Sequence, residues 1–214
     1  MRLIIAVICL VAMSFCQDKD TERLKELKTL PKDVKQVILV QDHLLSLWNR
    51  KDCKEGKECC GWEKAFEAPC YYGRNGLNAD RHDGDGTTPI GLFKVLYSFG
   101  NAPDPGSAMT YRQINKTTYW SGEKEDYNTW VEVKPGTRDM KHSEYLFRYK
   151  VSYKYAMAID FNTNPVVYGK GFAIFIHCDY PGDDSTAGCI AIAEEYMLRL
   201  VKECGEGTYL WVKE

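Results

Sequence analysis

Five short apolar runs punctuate this chain: QVILVQ (36–41), TWVEV (129–133), YAMAI (155–159), GFAIFIH (171–177) and TYLWVK (208–213). Each is too brief for a globular helix and is enriched in β-branched or aromatic residues, which reads as strand. Only AEEYMLRLVKECG (193–205) has convincing helical spacing. Met197, Leu200, Val201 and Cys204 fall on one face, Glu194 and Glu195 sit at the positive end, and Gly205 supplies the stop. A second, charged stretch, DKDTERLKELKT (18–29), reads as a short surface helix ending before Pro31, within an N-terminal segment over 17–35. Strands therefore dominate without the βαβ alternation of a parallel sheet, so the expected class is mainly β, or α+β. Neither repeat nor linker divides the chain after residue 36, so 36–214 is expected to be one domain.

Two segments are read by composition. GRNGLNADRHDGDGTTPIGLFKV (73–95) packs five glycines among polar residues and then turns into a strand, with Pro89 fixing the bend. His82, Asp83 and Asp85 invite a metal reading, but their register does not match a calcium loop and tight turns account for the pattern. Asn49 to Cys70 is rich in Lys, Glu and Cys (NRKDCKEGKECCGWEKAFEAPC) and is expected to be a loop-rich insertion at about 50–70, stapled by disulfides. A zinc reading of its CxxxxxCC spacing lacks a histidine at ligand distance.

The opening MRLIIAVICLVAMSFC has one positive charge and then an apolar run too short for a membrane span. It reads as a signal peptide over 1–16, cut ahead of Gln17, so the mature protein is expected to be exported, secreted and without a membrane anchor. Of the 214 residues about 198 remain, ample for one core. Without Arg2 the 28 basic residues become 27 against 30 acidic ones, a net charge of −3 that lacks the basic footprint of a nucleic-acid binder. Nine cysteines less Cys9 and Cys16 leave seven. In an oxidising compartment six of them can pair, and one is left over as an intermolecular bridge or a reactive thiol.

The stretch HCDYPGDDSTAGCIAI (177–192) holds the candidate chemistry. A cysteine nucleophile needs a base, a group that orients the base, and N–H donors where an oxyanion forms. His177 closes a buried strand, Cys189 follows across a turn-rich loop, and Gly188 leaves room for a substrate. The amides of Gly188 and Cys189 are the natural oxyanion donors, and Ser185 or Thr186 can bond the imidazole or the loop backbone. The plain alternative is that a histidine at a strand end is a satisfied surface group, as His43, His82 and His142 are read. Cys178, next to His177, points to the opposite face as core or half-cystine. By residue types alone the Cys–His pair remains a hypothesis.

GKGFAIFIHCDYPGDDSTAGCIAI resembles the signature of the L,D-transpeptidase (YkuD-type) catalytic domain, in the branch with Thr-Ala-Gly-Cys at the nucleophile. GRNG (73–76), DGDGTTPIGLF (83–93), DYNTWV (126–131), SEYL (143–146) and YKYAMAIDFNTNPVVYGKG (153–171) occur in the order of that branch, so the likeness runs from about 36 to 213. It implies a β-sandwich-like fold with a C-terminal helix, and a cysteine acyl-transferase or peptidase acting on peptidoglycan stem peptides through a thioester, without a cofactor or metal. Carried over, Cys189 is the nucleophile and His177 the base, Gly188 lies on the oxyanion side, and Thr186 or Ser185 supports. Arg74, Tyr127, Asn128 and Lys170 sit in matching motifs as substrate-binding candidates. The resemblance also assigns the odd thiol: Cys189 stays free while Cys53, Cys59, Cys60, Cys70, Cys178 and Cys204 pair.

Two departures stand out. Ala187 replaces a second histidine, and Ala191 replaces an arginine two places after the cysteine, so a substrate carboxylate must be held by another group. The cysteine cluster, the leader and the sequon at Asn115 fit a secreted version from a eukaryote, in which water as acceptor would make a carboxypeptidase or endopeptidase. Two other classes compete: a non-catalytic peptidoglycan-binding module, and a disulfide-stabilised structural protein.

Overall fold

The computed structural model describes residues 19–51 and 61–214. A helix over 19–27, α1, precedes β1 (Gln36–Gln41), β2 (Leu44–Arg50) and β3 (Trp62–Tyr71). Short strands β4 (Leu77–Asn78) and β5 (Thr88–Pro89) flank the glycine-rich turns, and β6 (Gly91–Gly100) and β7 (Tyr111–Gln113) follow. A small sheet comprises β8 (Thr118–Ser121), β9 (Thr129–Glu132) and β10 (Glu144–Tyr145). The chain then forms β11 (Ala156–Ile159), β12 (Phe175–Cys178), β13 (Ile190–Ile192), α2 (Glu194–Glu203) and β14 (Thr208–Val212).

The large sheet runs β11-β12-β13-β3-β2-β1-β14-β6-β7, and β6 also pairs with β11. That extra pairing closes eight strands into a ring, with β7 added outside it. The mainly β, sandwich-like fold is thus present in a barrel-like form. Closure removes the open edges that an unpaired sheet would expose.

Each ring strand sends alternate residues inward. The interior gathers Ile38 and Val40 from β1, Leu45 and Leu47 from β2, and Phe66, Ala68 and Cys70 from β3. It also takes Met157, Ile176, Cys178, Ile190, Ile192 and Leu210, with Met197, Leu200 and Val201 of α2 packed against them. The outward residues of β1, Val37 and Leu39, are covered by Leu27 of α1 together with Trp48 and Trp62. Burial on both faces explains why QVILVQ is a continuous apolar run rather than an alternating one. On the far side the small sheet lays Trp120 over Phe99, Ala156 and Phe175, and this second cluster includes Cys189.

The predicted strands at 36–41, 129–133, 155–159 and 208–213 are present to within a residue or so, as are both helices. Two expectations change. Residues 62–71 are not loop: they form a ten-residue strand in the middle of the large sheet. Its period-two pattern, Phe66, Ala68 and Cys70 buried among exposed or half-buried Glu67 and Pro69, is short and is masked by the charges before it and by a register shift near Ala65. Residues 171–174 precede rather than belong to β12, because Ala173 adopts a left-handed backbone (φ 54°) that breaks the ladder.

The cysteine pairing expected for Cys70, Cys178 and Cys204 is also corrected. All three are buried free thiols. Cys70 and Cys178 both lie opposite Ile192, one on each side of β13. An intervening strand sets their Cα atoms about 10 Å apart, beyond the ~7 Å limit for a disulfide. They act as small apolar fillers of the ring. Cys53, Cys59 and Cys60 and the predicted signal peptide lie outside the described residues. Among the described residues no helix is long and apolar enough to cross a membrane.

Candidate active site

The parallel pairing of β12 with β13 sets the site. Ile176 lies opposite Ile190 and His177 opposite Ala191, which places Cys189 opposite Phe175. Since side chains alternate along a strand, Phe175, His177, Cys189 and Ala191 all project to the outer face, while Ile176, Cys178, Ile190 and Ile192 fill the ring. His177 and Cys189 are thus diagonal neighbours, with Cα atoms about 8 Å apart from strand spacing and rise. Both line a cavity of about 280 Å³ bounded by Arg74, Arg81, Asp83, Glu144, Tyr153 and Thr186 among others. A neighbouring cavity of about 220 Å³ shares His177, Glu144, Tyr153 and Thr186, so the histidine stands on the ridge between two lobes.

The histidine's tautomer follows from its partner. Nδ1 lies 2.7 Å from the Cys178 carbonyl oxygen. A carbonyl only accepts, so Nδ1 carries the proton and Nε2 is left as the basic lone pair. Burial holds the pKa of His177 down, opposed by that carbonyl and by Asp179. Tyr153 meets the ring edge-on, with centroids 5.4 Å apart.

Cys189 is 9 % exposed. Its Sγ–H donates to the Ala173 carbonyl at 3.2 Å, and the Phe175 N–H points at the sulfur from 3.4 Å. Burial, with a contribution from Glu144, pushes the thiol up to about 12, while the Phe175 N–H and Arg81 pull the other way. Burial thus works against both the thiolate and the imidazolium of a charged Cys–His pair. Glu144 is itself desolvated, and burial raises its carboxyl to about 7 despite a 2.6 Å hydrogen bond from the Tyr153 hydroxyl.

Thr186 fixes the nucleophile's turn rather than the imidazole. Its Oγ1 accepts the Gly188 N–H at 3.0 Å and donates to the Cys189 carbonyl at 2.7 Å. The Gly188 amide is thereby occupied, so its expected oxyanion role falls away and the Cys189 amide is the remaining one of the two candidates. Thr88, fully buried, braces the turn from behind by donating to the Gly188 carbonyl at 2.7 Å and accepting from Gly73 N–H at 2.9 Å. Gly188 has φ +147°, and a Cβ there would stand 2.9 Å from the Thr87 carbonyl oxygen, so only glycine fits before the cysteine. Ser185 bonds only the neighbouring Asp184 carboxylate, at 3.1 Å, and lines the second lobe.

Of the four substrate-binding candidates, Arg74 alone lines the cavity. Tyr127 is buried and tied to Asp83 at 2.5 Å and to the Gly171 N–H at 3.1 Å. Asn128 spends both ends of its amide internally: Nδ2 donates to the Phe161 and Asn162 carbonyls, and Oδ1 accepts from Trp120 Nε1 and Ala173 N–H. It holds Ala173 in the left-handed conformation that aims its carbonyl at Cys189, a positioning role instead of a binding one. Lys170 is exposed and lines neither lobe.

The sequence reading missed Arg81, Glu144 and Tyr153. The signal for Arg81 is its place beside the acids of DGDG, where a lone cation stands among turn residues. Asp85 takes hydrogen bonds from His82 N–H, Thr87 N–H and Thr87 Oγ1 at 2.8–2.9 Å. Burial works against its charge, but those donors and Arg81 bring its carboxyl down to about 2. This is the architecture of a polar turn, as the glycine spacing implied.

Comparison with known proteins places this geometry in context. Residues 52–212 match the L,D-transpeptidase catalytic domain family (YkuD). A search of curated proteins returns no match. Similar solved structures include Bdellovibrio bacteriovorus Bd1075 (13% identity, TM-score 0.43, covering 85% of this chain and 48% of that one). Mycobacterium tuberculosis L,D-transpeptidase 1 is another (12%, TM-score 0.38, 83% and 59%), as is an L,D-transpeptidase from Mycobacterium smegmatis (11%, 0.36, 84% and 58%). The chain spans about half to three-fifths of the length of these structures.

Proposed function

The chain belongs to the L,D-transpeptidase catalytic domain family, and from that membership we propose that it is an exported cysteine acyl-transferase acting on peptidoglycan stem peptides. The observation that carries the reading is the convergence of Cys189 and the unprotonated Nε2 side of His177 on one cavity. In the proposed cycle, Cys189 Sγ attacks the carbonyl between the L-centred third residue and a terminal D-alanine as its proton passes to His177 Nε2. The oxyanion forms against the Cys189 amide. The tetrahedral intermediate collapses, the imidazolium returns the proton to the departing amine, and a thioester remains. An amine or a water then attacks the thioester, again giving its proton to His177, and the thiol is regenerated.

Because burial raises the thiol and lowers the imidazole, proton transfer accompanies attack instead of preceding it. The acceptor decides between a transpeptidase and a carboxypeptidase. A binding module would have no use for an unprotonated Nε2 and a thiol lining one cavity, and a structural role for Cys189 as half-cystine conflicts with its free thiol. Incubation of tetrapeptide muropeptides with the mature protein, followed by mass spectrometry, tests the proposal. Loss or exchange of D-alanine is expected, with a free D-amino acid distinguishing the two acceptors, and Cys189→Ala and His177→Ala should both be inert. Turnover retained by either variant would refute the assigned roles.

A further inference from the structure

Arg81 is 4 % exposed, yet its guanidinium is poorly matched inside the protein. Nε and Nη1 have no hydrogen-bond partner among the described residues. Nη2 makes one long bond, 3.3 Å to the His82 carbonyl, and stands 3.6 Å from Asp85 Oδ1. That carboxylate is already engaged by three donors from His82 and Thr87, so it offsets the arginine only in part. A buried cation with unfilled donors is costly unless something completes it.

The fold makes room for this side chain. A Cβ at Gly171 (φ +125°) would overlap Nη1, and one at Gly188 would come within 3.7 Å of Nη2. Both glycines leave the guanidinium in the wall of the cavity that holds Cys189. Nη2 lies against Gly188, one residue of backbone, ~3.8 Å, from the nucleophile. A peptide whose scissile carbonyl sits on Sγ carries its next group at about the same remove. If that residue is terminal, the group is a carboxylate; in an internal bond it is a neutral amide, which leaves the guanidinium unmatched.

We infer that Arg81 is the specificity-determining residue of this site, holding the free carboxylate of the departing terminal residue and so restricting the donor to peptides cleaved one residue from the end. The inference rests on the acyl-transfer reading for its substrate and is independent of turnover in its test. Arg81 comes from the turn between β4 and β5 and lines the lobe that holds Cys189, whereas Ala191 lines the other lobe.

The test is calorimetric titration of Cys189→Ala protein with a stem tetrapeptide bearing a C-terminal acid and with the same peptide as its C-terminal amide. The acid should bind about 10- to 100-fold more tightly, the span of a charge-assisted hydrogen bond. Adding Arg81→Gln should collapse that ratio by weakening the acid alone, and Arg81→Lys should restore part of it. Equal binding of acid and amide, or no binding of either, overturns the inference without relying on a substituted arginine that folds. A preference that survives Arg81→Gln in a folded variant overturns it too. Absence of turnover in the wild type, with the acid preference intact and dependent on Arg81, would instead sink the enzymatic reading and leave this one standing.

Discussion

Glu144→Gln should make the protein more stable at alkaline than at acid pH relative to wild type. The carboxyl lies between the two lobes of the cleft, with burial raising it from 4.5 to about 7. Below ~pH 4 it is protonated in both the folded and unfolded chain and costs nothing. Between 4.5 and 7 the unfolded chain releases the proton while the folded one keeps it, so wild-type stability falls with rising pH; above 7 the full cost is present. Raising the carboxyl from 4.5 to about 7 corresponds to at most about 3 kcal/mol, discounted for the water that reaches this half-buried side chain through the cavity. Glutamine keeps the acceptor for Tyr153 and carries no charge. Denaturant unfolding of both proteins at ~pH 4 and ~pH 8 isolates this one group, because other titrations cancel in the difference. The gain from the substitution should grow by about 2–3 kcal/mol between the two conditions. A gain that is the same at both pH values would refute the argument that Glu144 is desolvated. The same substitution removes a charge that raises Cys189, so alkylation of the thiol should be faster in the variant at fixed pH.

Thr186→Val deletes the oxygen that bonds both Gly188 N–H and Cys189 carbonyl. Turnover should drop about 10- to 100-fold with little change in KM, and Thr186→Ser should recover most of it; a loss in Thr186→Ser as large as in Thr186→Val would refute the hydroxyl as the group that holds the turn. Gly171→Ala forces a left-handed alanine into Arg81, at a cost of at least about 2 kcal/mol in denaturant unfolding. A change within about 0.5 kcal/mol would contradict the close packing around that guanidinium. Thiol titration of unfolded, unreduced protein should count at least the four free thiols of Cys70, Cys178, Cys189 and Cys204. A count of one would restore the pairing expected from cysteine parity.

What was legible in the sequence was local. Short β-branched runs, the helical spacing of Met197, Leu200 and Val201, and the glycine-rich turns each leave a mark within a few residues, because strand, helix and turn are set by near neighbours. The His177 and Cys189 pair was legible too, since a strand-end histidine and a Gly-Cys junction occupy one short segment. The ordered motifs from GRNG to TAGC carried the family. Strand β3 was hidden because its inward residues are interrupted by Glu67 and Pro69 and preceded by Glu63 and Lys64, which read as a surface loop. Cysteine parity misled because it counts thiols and knows nothing of the strand lying between Cys70 and Cys178.

The cavity wall belonged to tertiary structure alone. Arg81 precedes β5, Glu144 lies in β10 and Tyr153 precedes β11, and they meet Cys189 only when the small sheet packs on the outer face of the ring. Burial there decides ionisation: the same thiol and carboxyl that a sequence lists at ordinary values stand at about 12 and about 7 once water is withdrawn. Asn128 and Tyr127 show the converse. Their motifs marked them for the cleft, but every polar side-chain atom that would greet a ligand is spent on backbone, on Trp120 or on Asp83. Sequence thus determined most of the elements, the family, and the two residues, His177 and Cys189, that meet at the candidate site. Only the closed ring, by choosing what it desolvates, decided which other groups line the cavity and which way their ionisation shifts.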